Sequence, residues 1–215
     1  MSIRSATIRT CSWWMAEASQ ALVAYLPLSL RQWLWLWRRY LLAALPRRQR
    51  LWASAAEFDQ GWKLRSARMA RYIDRPGGVV DFGCGRMWLE QFLRPDSIYL
   101  PLDYIRRDAR TIVVDLNAQR LPPLEAPIAV MSGVLEYVVD LDRLIRQMEQ
   151  QPFTRIIASY NTRERVPSLV LRRALNWKSH AHLDELLLLF CRCFNLVAIE
   201  VFETNTIMVF DRKPV

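Results

Sequence analysis

From residue 79 onward the chain alternates short apolar runs with amphipathic stretches, and this alternation restricts the fold to a sheet with helices packed on it. Strand-like runs are read at 79–82, 98–102, 111–114, 127–131 and 154–159, and helices at 86–93, 139–149 and 183–192. An earlier helix, "EFDQGWKLRSARMARYID" at 57–74, stops at the turn "RPGG". The stretch "NLVAIEVFETNTIMVFDR" holds two strand runs separated by "ETN", the pattern of an antiparallel hairpin. Strands joined through helices pair in parallel and are buried on both faces. The expected fold is therefore α/β, a mainly parallel seven-stranded sheet with a C-terminal antiparallel hairpin and helices on both faces.

A chain of 215 residues has room for one substantial core. Residues 57–215 are read as that domain, and 1–56 as a helical, amphipathic extension rich in Trp and Arg. Within the extension, "LSLRQWLWLWRRYLLAAL" at 28–45 gathers Arg31, Gln32, Arg38 and Arg39 into a narrow polar stripe, while Trp33, Leu34, Trp37, Leu41 and Leu45 cover much of the remaining helix surface. Its charges and short apolar run argue against a spanning helix, which needs roughly 20 mainly apolar residues. Two readings stand: a helix packed on the domain or on a second subunit, or one lying at an anionic membrane surface together with "PRRQR" at 46–50.

The net charge of +9, from 30 Lys and Arg against 21 Asp and Glu, attracts nucleic acid, anionic membranes and acidic substrates without choosing among them. Cysteines 11, 84, 191 and 193 form neither a disulfide framework nor a zinc knuckle, and the two histidines, His180 and His182, lie in a separate segment. No metal site is expected. The N-terminal apolar patch is interrupted by Glu17 and Gln20 and lacks a small-residue cleavage site, so a cytoplasmic protein with reduced thiols is expected.

"VVDFGCG" at 79–85 is a buried strand running into two glycines, a sequence that lets backbone approach a ligand at the carboxyl end of a strand. A dinucleotide loop would carry a third glycine, but Arg86, Met87 and Trp88 follow instead. Asp81 adds a carboxylate, which repels phosphate and favours a cationic or amine-bearing ligand.

Val79, Val80, Asp81, Phe82, Gly83, Cys84 and Gly85 resemble the first motif of the class I S-adenosylmethionine-dependent methyltransferases, which have a Rossmann-like fold. The resemblance implies S-adenosylmethionine as cofactor, with Gly83, Cys84 and Gly85 around its amino-acid portion and Asp81 near its ammonium. It also implies Asp103, in "SIYLPLDY", on the ribose hydroxyls, with Tyr104 against the adenine. In "TIVVDLN", Asp115 would lie near the adenine amino group and Leu116 would offer a backbone donor. In "MSGVLEY", Ser132, Gly133, Leu135, Glu136 and Tyr137 would line the transfer site, and Ser132 and Leu135 would touch the cofactor.

Glu136 and Tyr137 are the candidate catalytic groups there, against the plainer readings of an ion pair or cap and of packing. His180, in "YNTRERVPSLVLRRALNWKSHAHLDEL" at 160–186, could accept a proton near neutral pH. The competing account of that segment has His182 and Glu185 pairing at a helix start and its arginines on a solvated helix face.

The post-strand segment lacks the prolines and Asn or Asp of DNA amino-methylating enzymes, and its "LEY" resembles the form of that segment in methyltransferases acting on small molecules and on saccharide or lipid intermediates. The expected reaction is methyl transfer to an oxygen or nitrogen of a small or membrane-associated molecule. A catalytically silent relative binding a partner or membrane, and an RNA methyltransferase, remain as alternatives, and the sequence leaves the oligomeric state open.

Overall fold

The computed structural model describes residues 58–214. The extension at 1–56 and the membrane or partner reading of 28–50 lie outside the described residues.

Helix α1 (Gln60–Ala70) begins where the Asp59 carboxylate accepts the Gly61 N–H at 2.6 Å. Strands β1 (Gly78–Phe82), β2 (Ile98–Asp103), β3 (Ile112–Val113), β4 (Ile128–Ser132) and β5 (Arg155–Tyr160) follow, with helix α2 (Leu141–Glu149) between β4 and β5. After β5 come α3 (Leu169–Ala174) and α4 (Leu183–Phe190), then the hairpin of β6 (Phe194–Phe202) and β7 (Asn205–Arg212). The sheet order is β3-β2-β1-β4-β5-β7-β6, with β1 to β5 paired in parallel. Strand β7 runs antiparallel between β5 and β6, with Arg155 opposite Asp211 and Tyr160 opposite Thr206.

Alternate side chains leave a strand on opposite faces, and the core divides accordingly. Val79, Ile128, Val130, Ile157, Ile207 and Val209 meet Met69 and Ile73, from α1 and the turn after it, on one face. Val80, Phe82, Ala129, Met131, Ile156 and Met208 meet Leu144, Ile145 and Met148 of α2 and Leu186 and Phe190 of α4 on the other. The Phe190 and Phe210 rings stack at 4.6 Å there. Both faces of β1, β4 and β5 are covered, which is why their sequences read as continuous apolar runs. Edge strand β6 instead exposes Val197, Ile199 and Val201.

Three elements differ from expectation. The helix read at 86–93 is a short 3-10 helix, Trp88–Phe92, because Met87 takes a left-handed φ of 55° and the chain must turn before Pro95. Strand β3 is two residues long, although the Val114 N–H still donates to the Asp103 carbonyl at 2.9 Å. Helix α3 arises within 160–186, where the Ser168 hydroxyl accepts the Leu171 N–H and caps it.

Candidate functional site

A cavity of about 280 Å³ opens at the carboxyl ends of β1, β2 and β4, near the lower end of the roughly 300–1,000 Å³ usual for ligand pockets. Open α/β sheets bind ligands at this position, where neighbouring crossovers leave the sheet in opposite directions. Its floor is the turn after β1. The Gly83 and Cys84 N–H groups both donate to the Leu102 carbonyl, at 2.7 and 3.0 Å, which folds the chain back against β2. Gly85 has a φ of 53°, and a Cβ there would come within 2.7 Å of the Phe58 ring, so the turn demands glycine.

Asp81 and Asp103 end adjacent parallel strands, are each 3% exposed and both line the cavity. Their partners differ. Asp81 accepts the Tyr99 hydroxyl at 2.7 Å, and burial, partly offset by this bond and reinforced by Asp103, pushes its pKa up to about 7. Burial likewise drives the Tyr99 phenol and the Cys84 thiol upward, so Cys84 lines the cavity as a neutral thiol. Asp103 accepts the Gly85 N–H at 3.0 Å and the Ile105 N–H at 3.1 Å, and pairs with the Arg107 guanidinium at 3.1 Å. With a second Arg107 contact at 3.4 Å, four donors meet one carboxylate, which offers about four lone-pair sites.

Tyr104, Asp115 and Leu116 line the β2–β3 side. Asp115 accepts the Asn117 N–H at 2.9 Å, and Asn117 spans to the turn after β4, donating to the Tyr137 carbonyl at 3.0 Å and accepting the Val139 N–H at 2.7 Å. Ser132 and Tyr137 line the β4 side, together with Gly133.

Leu135, Glu136 and His180 lie away from the cavity lining. Residues Leu135–Tyr137 form a 3-10 turn that directs Tyr137 to the cavity and buries the two before it. Glu136 is 1% exposed, and one carboxylate oxygen accepts the Asn161 N–H and side-chain amide at 2.9 and 2.8 Å, while the other has no hydrogen-bond partner. His180 Nδ1 accepts from Arg172 Nε at 3.2 Å, and burial, then Arg172 and Arg173, lower its pKa. That nitrogen is thus committed as an acceptor on a neutral ring, and the expected proton-accepting role at the cavity has no support in its placement. The His182 N–H does donate to Glu185 at the start of α4, at 2.7 Å.

The sequence reading missed Arg65, Asn117, Asn176 and Lys178, all of which line the cavity. Arg65 is 7% exposed and donates from Nε to the Ser132 hydroxyl at 3.1 Å, from Nη2 to the Ser132 carbonyl at 3.3 Å and from Nη1 to the Asn205 side chain at 3.1 Å. Gly133 makes room for it, since a Cβ there would stand 2.3 Å from Nη2. A usable signal existed: Trp62, Arg65, Ser66 and Met69 share one helical face at spacings of three and four, which places a cation on the inward side of α1. Among the described residues no group of three or more His, Cys, Asp and Glu is placed to hold a metal.

No protein-family model matches the chain, and no curated protein matches it in sequence. Solved structures do. An S-adenosylmethionine-dependent methyltransferase from Mesorhizobium loti superposes with a TM-score of 0.57 at 16% identity, covering 74% of this chain and all of the other. The 1,6-didemethyltoxoflavin-N1-methyltransferase of Burkholderia thailandensis, solved with 1,6-didemethyltoxoflavin and S-adenosylhomocysteine, gives 0.53 at 15%, covering 85% of this chain and 90% of the other. A Pyrococcus horikoshii protein gives 0.57 at 13%, covering 78% and 97%. The strand order, the reversed β7 and these likenesses define the class: the chain has the fold of the class I S-adenosylmethionine-dependent methyltransferases.

Proposed function

We propose that the protein binds S-adenosylmethionine in this cavity and transfers its methyl group to an oxygen or nitrogen of a small molecule. The observation that carries the reading is the order of polar groups along the cavity wall. Asp81 lies near the end of β1, Arg65 of α1 reaches Ser132 at the end of β4, and Asp103 ends β2. A cation and an acid suit a zwitterionic amino-acid moiety, and a strand-end carboxylate suits a ribose diol. The donor set therefore fits the cofactor.

The cofactor supplies a methyl group activated by positively charged sulfur. The chain's own work is to bind and align. Asp81 accepts the ammonium, Arg65 uses N–H groups not spent on Ser132 and Asn205 for the carboxylate, and the close backbone at Gly85 admits the ligand. For Asp103 to accept ribose hydroxyls, Arg107 must give up its contacts, because the carboxylate's acceptor sites are filled. Tyr137 and Ser132 border the acceptor side. With Glu136 and His180 turned away, the acceptor must be a neutral amine or an already ionised hydroxyl, unless its proton passes to water. Saccharide or lipid intermediates at a membrane surface are the acceptors suggested by the Trp and Arg pattern of 28–50.

Calorimetry of the full chain with S-adenosylmethionine and S-adenosylhomocysteine tests the reading. Micromolar binding that Asp103→Ala weakens at least tenfold is expected; unchanged affinity in the variant would remove the assigned site.

A further inference from the structure

The segment after β5 carries a feature at the cavity edge that cofactor binding does not use. Arg172 organises it. This side chain is fully buried, and each of its N–H donors has a partner: His180 Nδ1 at 3.2 Å, the Asn161 and Val166 carbonyls at 2.6 and 3.4 Å, and the Tyr160 hydroxyl and Ser179 carbonyl at 3.0 and 3.1 Å. The Trp177 ring covers the guanidinium at 4.9 Å.

Around this knot the backbone is fixed. Helix α3 ends at Ala174 with Leu175 as its C-cap, and Asn176 takes the left-handed φ of 59° that Asn tolerates at a helix end. The chain then turns so that the Lys178 and Ser179 N–H groups both donate to the Glu136 carbonyl, at 2.6 and 3.1 Å. That clamp sets Lys178 beside the turn after β4, on the acceptor side of the cavity. Asn176 and Lys178 both line it.

The charge of Lys178 is uncompensated. Among the described residues no carboxylate pairs with its ammonium, whose one side-chain partner is the neutral Asn176 Oδ1 at 2.8 Å. Arg107, also on the cavity wall, is by contrast paired with Asp103. Holding a long lysine side chain against an amide costs rotamer freedom, and here no local charge offsets it. The same bond turns the Asn176 oxygen towards Lys178 and leaves its amide N–H donors for another group, so both residues have donors to offer.

We propose that Lys178 and Asn176 recognise an anionic group, carboxylate or phosphate, on the methyl acceptor, and that Arg172 is the positioning residue that holds them there. The inference rests on the methyltransferase reading and adds the acceptor's charge to it. A compact ammonium suits either anion as a point charge.

The test uses the full chain saturated with S-adenosylhomocysteine, then titrated with phenyl phosphate, benzoate or the neutral benzyl alcohol and followed by NMR. At least one anion is expected to bind tenfold or more tightly than benzyl alcohol, and the stronger anion identifies the group. Lys178→Met, a change at an exposed side chain, should erase the preference, Lys178→Arg should keep part of it, and S-adenosylhomocysteine affinity should stay within about twofold in both. Equal binding of all three probes, or a preference that survives Lys178→Met, overturns the proposal alone. Failure of the wild-type chain to bind S-adenosylhomocysteine overturns the methyltransferase reading and this inference with it.

Discussion

Two buried arginines stand in opposite situations on either side of the turn after β4. Arg172, in the knot behind the cavity, spends every donor on neutral acceptors and is sealed between aromatic rings. Arg65, on the cavity wall, spends three donors on Ser132 and Asn205, and its other two N–H groups have no hydrogen-bond partner among the described residues. Among the described residues neither has a carboxylate within ion-pair distance. A guanidinium carries five N–H donors, and how many are already satisfied separates a group that holds the fold from one that awaits a ligand.

The widest separation comes from truncating each. Arg172→Met leaves buried carbonyls and the Tyr160 hydroxyl without their donor, at about 3 kcal/mol or more of stability. Denaturant unfolding should show that loss, with S-adenosylhomocysteine affinity of the folded fraction changed less than about threefold. Arg65→Met should do the reverse, weakening S-adenosylhomocysteine binding by about 2 kcal/mol, or roughly thirtyfold, as read by calorimetry. If Arg65→Met melts early yet binds normally, the contrast between the two arginines fails.

The cavity wall also carries a group that titrates near neutral pH. Asp81 has its pKa raised to about 7 in the ligand-free protein, so below that pH its carboxylate is largely neutral and cannot hold an ammonium. S-adenosylmethionine affinity should fall by up to about tenfold per unit from pH 7 to pH 5 and level off above pH 8. Stability of the empty protein has the opposite sign. A carboxyl group whose folded pKa lies above its unfolded value of ~3.9 favours the fold at low pH, and that contribution is lost as pH rises through 7. A pH series of binding isotherms and melts checks both directions. The smallest effect belongs to the edge of the knot: His180→Gln keeps an acceptor for Arg172 and should alter S-adenosylhomocysteine affinity less than twofold, whereas His180→Ala should cost about 1 kcal/mol of stability.

The same contrast explains what the sequence made legible. The strand pattern, the hairpin and the Gly83–Gly85 turn follow from local periodicity or from residues a few positions apart, while the acid at the end of β2 is what the family resemblance implies. Arg65 meets its partners across 67 and 140 residues, and no local pattern announces such pairings. The 160–186 segment reads as a basic loop because its arginines look solvated; that Arg172 is instead buried depends on acceptors converging from β5, the loop between β5 and α3 and the segment before α4. Glu136 and His180 were plausible by type and position, and the 3-10 turn and the Arg172 contact direct them elsewhere.

Strand β7 follows every other strand in the chain, yet it lies inside the sheet, hydrogen-bonded on one side to β5 and on the other to β6. Synthesis proceeds from the N terminus, so a nascent chain that has reached β6 still presents the open edge of β5 and has no Asn205 for Arg65. Such unpaired edges are templates for aggregation. The sheet and the Asn205 contact of Arg65 on the cavity wall are thus completed together, by the one hairpin that brings β7 between β5 and β6.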